Sequence, residues 1–174
     1  MIGARAVAAG LAALAMLPAA APARSLTIRV DSRGFVSRLG PLHPLRHPFL
    51  RDARAAFGMP TSVRSSRGEC RARWAQLKLK ALFTSFGGIS DFCGEGRFQT
   101  AVVRSPTWRT WKGLRVGMRS SRIRELHPKA RFTRGKWVIA TQSVFGSTPS
   151  PTVTAHVRGG RVRALSLFIG AAGD

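Results

Sequence analysis

The chain has 174 residues, with 29 Lys plus Arg against 7 Asp plus Glu, a formal net charge of +22. That length admits one domain or two small ones and excludes a large multidomain enzyme. A hydrophobic fraction of 44% excludes a disordered basic tail, and seven dispersed acids leave little for a carboxylate metal cage or a two-carboxylate glycosidase.

Of the basic residues, 24 are Arg and 5 are Lys, and Tyr is absent. High-GC coding produces the same bias without selection for a partner. Charge alone therefore does not choose between a polyanion interaction and background composition.

The first segment reads as an export signal. Arg5 supplies the positive start, and Ala6 to Leu17 is an apolar run of 12 residues, too short to cross a bilayer comfortably. Pro18 breaks it, and Ala21-Pro22-Ala23 is a small-x-small cleavage pattern. Cleavage after Ala23 leaves 151 residues at +21. The alternative is an uncleaved N-terminal anchor. No Cys follows the cleavage pattern and no later run reaches 18 apolar residues, so neither a lipid anchor nor a transmembrane helix is expected. The expected location is secreted or cell-wall-associated. In an oxidising compartment the only two cysteines, Cys70 and Cys93, pair as a disulfide. The loop so closed contributes about 3 kcal/mol in the chain-entropy picture.

Along the chain, Leu26 to Val30 has strand character, and Gly34 to Pro48 is punctuated by Gly and Pro. Phe49 to Phe57 has helical spacing, with Phe49, Leu50, Ala53, Ala56 and Phe57 on one side, and Gly58 and Pro60 stop it. Cys70, Ala72 and Trp74 alternate with Arg71 and Arg73 as a half-buried strand. Leu79, Ala81 and Phe83 predict a second strand, and Phe98 to Val103 a third. The order then repeats. Met118 to Leu126 predicts a helix, with Ser120 or Ser121 as its cap and Pro128 beyond its end. Trp137 to Thr141, Thr152 to Val157 and Val162 to Ile169 predict strands, the last two joined by a Gly159-Gly160 hairpin turn.

The expected fold class is therefore α+β. Two tandem modules, residues 24–105 with the disulfide and 106–174, each pack a short helix or helical hairpin on a three- to four-stranded antiparallel sheet. Each is of marginal size for independent stability.

The motif Gly113-Leu114-Arg115-Val116-Gly117-Met118, followed by Leu126-His127-Pro128, resembles the GLxxGMxxxxVxxxxP signature of one α/β module. That module occurs in β-lactamase-inhibitor-like proteins and in the SmpA/OmlA outer-membrane lipoproteins. With its Trp108 to Gly117 junction, the chain also resembles secreted proteins of high-GC actinobacteria. The first half departs from the motif, having Pro44-Leu45-Arg46-His47-Pro48 before its helix. The resemblance implies a helix on one face of an antiparallel sheet, doubled into a concave surface that binds a protein in the inhibitor relatives. No inhibitory loop matches, so no inhibitory residues carry over.

Catalytic chemistry is not expected. There is no GxSxG elbow, and pairing Cys70 with Cys93 removes any Cys–His dyad. His43 and His47 are four apart, but Pro44 and Pro48 argue against the helix that would align them on a metal. His127 reads as a favourable charge at a helix C-terminus, and His156 as a polar-face strand residue. The Gly94-Glu95-Gly96 and Gly113 to Gly117 segments lack the Gly-Lys-Ser/Thr ending of a phosphate loop. No cofactor is expected.

The basic residues are patterned. Arg71 and Arg73 share the outward side of one strand. Arg161 and Arg163 do so on another, with Arg158 nearby, and Arg115, Arg119, Arg122 and Arg124 surround the second helix. These nine are the candidate contacts. The expected function is non-catalytic binding or envelope association, with an unknown protein as partner through the sheet face; the alternative is a cell-surface polyanion (an anionic wall polymer, a phospholipid headgroup or extracellular nucleic acid) bound through the arginines. Trp74, Phe83, Trp108 and Trp111 are expected to pack rather than stack on a ligand.

Overall fold

The computed structural model describes residues 25–66, 68–85, 90–143 and 149–169. The export signal and its cleavage point lie outside the described residues. Among the described residues there are two helices and eleven strands. In chain order these are β1 (Leu26–Val30), β2 (Val36–Leu39), α1 (Leu50–Phe57), β3 (Ser62–Ser66), β4 (Glu69–Trp74), β5 (Leu79–Thr84) and β6 (Arg97–Val103). Then follow β7 (Trp108–Thr110), α2 (Ser121–Leu126), β8 (Arg131–Thr133), β9 (Lys136–Gln142), β10 (Ser150–Arg158) and β11 (Arg161–Phe168).

Eight strands form one antiparallel sheet in the order β3-β4-β5-β6-β11-β10-β9-β8. A second, three-stranded sheet has the order β2-β1-β7, with β1 parallel to β7 and antiparallel to β2. This corrects the expected pair of small sheets, each under its own helix. The strands at the ends of the two halves, β6 and β11, pair directly through Leu165↔Val103, Ser166↔Val102, Leu167↔Ala101 and Phe168↔Thr100. Had each half kept its own sheet, both strands would present unpaired backbone groups along apolar edges. Joining them removes that liability. Each half contributes four strands, and the second set runs in reverse order, so the two halves face each other across the β6–β11 seam.

Alternation explains which side is buried. Cys70, Ala72 and Trp74 of β4 are buried between exposed Arg71 and Arg73. Leu79, Ala81 and Phe83 of β5 follow the same rule. Two indoles anchor the core, each removing roughly 200 Å² from water, on the order of 5 kcal/mol. Trp74 donates from Nε1 to the Gly58 carbonyl at 2.8 Å, and Trp108 donates to the Leu77 carbonyl at 2.8 Å. Phe57, at the end of α1, meets both edge-on, at 5.7 and 6.1 Å. One helix residue thus joins the large sheet to the small one. The expected bridge is present: Cys70 and Cys93 are bonded with a Cα–Cα distance of 5.1 Å.

The helices are shorter than expected, for a backbone reason. Val162 N–H donates to the Met118 carbonyl and Gly117 N–H donates to the Val162 carbonyl, at 2.9 and 2.7 Å. Ser120 N–H donates to Gly160 at 2.8 Å. The chain is stitched to the start of β11 until Ser120, so α2 starts only at Ser121, and no side-chain cap forms there. The first half does the same, with Phe98 N–H donating to the Pro48 carbonyl at 2.6 Å before α1 begins. At the head of α1, the Asp52 carboxylate accepts the Phe49 N–H at 3.0 Å. Among the described residues no helix is long and apolar enough to cross a membrane.

Candidate polyanion-binding face

Both helices pack on one side of the large sheet, and the other side stays open. The pleat that buries Cys70, Ala72 and Trp74 must aim Arg71 and Arg73 outward. Neighbouring strands add Arg64 from β3 and Lys80 from β5. With Ser62, Leu82, Thr100 and Val102 they line an open depression of about 420 Å³. Val102 also borders a second depression of about 910 Å³ beyond the seam, lined by Arg104, His156, Arg158, Arg163, Ala164 and Ser166. The two form one continuous basic surface.

Its register sets like charges against each other. Arg64 lies directly opposite Arg71, and Arg73 directly opposite Lys80. Cross-strand like charges are destabilising by a few tenths of a kcal/mol or more. Among the described residues only Glu69 offsets them, pairing with Arg71. The other described acids lie elsewhere: Asp31 in the β1–β2 turn, Asp52 on α1, Asp91 and Glu95 in the loop before β6, and Glu125 on α2.

The structure divides the nine predicted contacts. Arg71, Arg73, Arg158 and Arg163 line the open side. Arg161 is exposed at the β10–β11 turn, where its guanidinium donates to the Gly117 carbonyl at 3.0 Å. The other four line neither depression. On α2, Arg122 pairs with Glu125 and Arg124 sits over the Trp137 ring at 5.2 Å, and the backbones of Arg119 and Arg115 form isolated bridges to those of Arg161 and Arg109. Sequence reading left Arg64, Lys80, Arg104 and Lys136 out of the candidate contacts, and placed His156 on the polar face of its strand without giving it a contact role. Lys80 was legible from the β5 alternation. The others needed the strand order.

Two histidines depart from their ordinary chemistry. His127 is buried, with the Thr110 hydroxyl 2.8 Å from Nε2 and the Trp111 ring edge-on at 4.8 Å. Thr110 Oγ1 also accepts the Leu114 N–H at 3.2 Å. Burial first, and the Lys112 charge second, lower the His127 pKa to about 4. The residue is neutral at the end of α2, which corrects the expected role as a positive charge there. His156 lies 2.6 Å from the Ser166 hydroxyl. Its pKa is lowered by burial, then by the Lys136 and Arg104 charges.

His43 receives a hydrogen bond from Arg38 at 2.7 Å. Among the described residues no three His, Cys, Asp or Glu side chains converge as a metal site.

No family model and no curated protein matches the chain. Among solved structures, it is similar to an extracellular protein containing an SCP domain from Bacillus anthracis. The TM-score is 0.40 at 12% identity, over 79% of this chain and 46% of that one. The chain thus spans under half the length of that neighbour.

Proposed function

We propose that the protein is exported, acts without catalysis or cofactor, and binds an anionic cell-surface polymer through the open side of its large sheet. The observation that carries this reading is the register of that side. Opposed cations, Arg64 with Arg71 and Arg73 with Lys80, repel one another with, among the described residues, a single carboxylate, Glu69, beside them. A polyanion laid across the strands relieves that repulsion and releases its own counterions. Export is supported by the bonded Cys70–Cys93 pair and by the N-terminal pattern. The non-catalytic part is supported by the Ser166–His156 pair itself. The charges acting on its imidazole, those of Lys136 and Arg104, are positive and disfavour the imidazolium that a triad base forms.

The test is binding of residues 24–174 to poly(glycerol phosphate) across a salt series. The logarithm of affinity falls linearly with the logarithm of salt, by close to one unit of slope per phosphate contacted. A flat dependence overturns the reading. So does a stoichiometric protein partner from an envelope extract that survives about 0.5 M salt, where exposed charges are screened.

A further inference from the structure

The two depressions on the open side differ in chemistry. The first, around Arg64, Arg71, Arg73 and Lys80, is cationic only. The second holds a titratable group at its centre. His156 of β10 and Ser166 of β11 meet at 2.6 Å. Ala164, the cross-strand neighbour of His156, is buried and leaves room above the pair.

The cations around this pair come from separate elements. Arg104 follows β6, Lys136 begins β9, Arg158 ends β10, and Arg163 belongs to β11. No acidic side chain is among the described residues that line the depression.

We propose that this depression is a subsite for one tetrahedral phosphate group, held by Arg104, Arg163, Lys136, and the His156–Ser166 pair. It rests on the polyanion reading above and adds a position and a chemistry to it. Guanidinium groups supply planar, charge-assisted hydrogen bonds to phosphate oxygens. A neutral imidazole has one N–H donor, and protonation makes donors of both its nitrogens. Burial first, then the Lys136 and Arg104 charges, lower the His156 pKa in the empty site and favour its neutral form. A bound phosphate anion offsets those charges, so it raises that pKa and favours proton uptake as the ligand enters. Binding is therefore proton-linked, and affinity rises as pH falls. His127 sits under Trp111 on the helical side and shares none of these neighbours.

The experiment follows the four imidazoles of residues 24–174 by NMR at constant ionic strength. Inorganic phosphate, dimethyl phosphate and acetate are titrated separately. The two phosphates distinguish a free phosphate ligand from a phosphodiester within a polymer, and either one satisfies the proposal. The expected result is a shift of His156 with a pKa raised by about one unit or more, while His43, His47 and His127 stay in place and acetate has little effect. Affinity for dimethyl phosphate, whose charge is fixed over this range, rises about threefold or more between pH 8 and pH 5.5. Arg104→Gln and Ser166→Ala each weaken phosphate binding about fivefold or more. Equal movement of all four histidines, or none of His156, overturns the subsite. If poly(glycerol phosphate) still binds with a salt slope, the wider reading survives that failure. If polymer binding is also absent, both fall.

Discussion

Gly34, in the turn between β1 and β2, has φ +87, and a Cβ added there would lie 1.9 Å from the Thr141 carbonyl oxygen. Gly34→Ala therefore forces the turn away from β9 by more than an ångström. That motion breaks the 2.7 Å hydrogen bond from the Thr152 hydroxyl to the Gly34 carbonyl, and Thr152 is 1% exposed. A buried hydroxyl left without its partner costs about 1–3 kcal/mol. The left-handed backbone adds about 1 kcal/mol for any residue with a Cβ. The sum is about 3 kcal/mol, which lowers the melting temperature of a domain this size by about 6–12 °C. Gly113→Ala is the matched control, since Gly113 has the same φ of +87 with nothing within 4 Å of its added Cβ. It pays the backbone cost alone, about 1 kcal/mol. Thermal melts of both variants, followed by circular dichroism, decide the matter. Equal melting temperatures for the two variants would refute the docking of the β1–β2 turn onto the second half.

The disulfide and His127 give further expectations. Replacing both Cys70 and Cys93 by Ala lowers stability by about 3 kcal/mol through the loop they close; a melting temperature unmoved by the double substitution or by reduction would contradict this. His127 has a folded pKa lowered to about 4 against about 6.5 unfolded. The unfolded state takes up its proton first as pH falls, so stability is full above about pH 6.5 and declines toward pH 4. The loss by pH 4 is about 3 kcal/mol. Urea midpoints across this range should fall in the parent chain and fall less in His127→Gln. An imidazole midpoint near 6.5 for His127 in the folded protein would refute the burial argument.

Much of the folded core was legible as period-two alternation. Cys70-Ala72-Trp74 and Leu79-Ala81-Phe83 point one way because the intervening Arg and Lys cannot be buried unpaired. The Gly159-Gly160 turn was legible because both residues adopt positive φ, +59 and +67. Strands β3 and β8 were not. Of β3 only Val63 is partly buried, and Arg131, Phe132 and Thr133 of β8 are all exposed. An edge strand held by backbone hydrogen bonds leaves no apolar signature. Strand β2 was hidden among Gly and Pro residues. The β6–β11 seam was also invisible, because alternation reports which side of a strand is buried and not which strand lies beside it. The same gap explains the candidate site. Arg71 and Arg73 could be placed outward from their own strand, but their opposition to Arg64 and Lys80 is a matter of register. The cations around His156 meet only because β6, β9, β10 and β11 share one sheet, which brings Arg104 and Lys136 to it. The arginines around α2 looked equivalent in sequence, and packing keeps them out of both depressions.

That division supplies the most direct measurement. One variant replaces Arg64, Arg71, Arg73 and Lys80 by Gln, and a second replaces Arg115, Arg119, Arg122 and Arg124 by Gln. Both lose four positive charges, so net charge is matched and only their location differs. Affinity for poly(glycerol phosphate) is measured for each across the same salt series, with circular dichroism to confirm folding. The account predicts that the open-side variant loses about tenfold or more in affinity and about three to four units of salt slope, with the α2 variant staying within about threefold of the parent. Equal losses in the two variants, or a larger loss in the α2 variant, would contradict it.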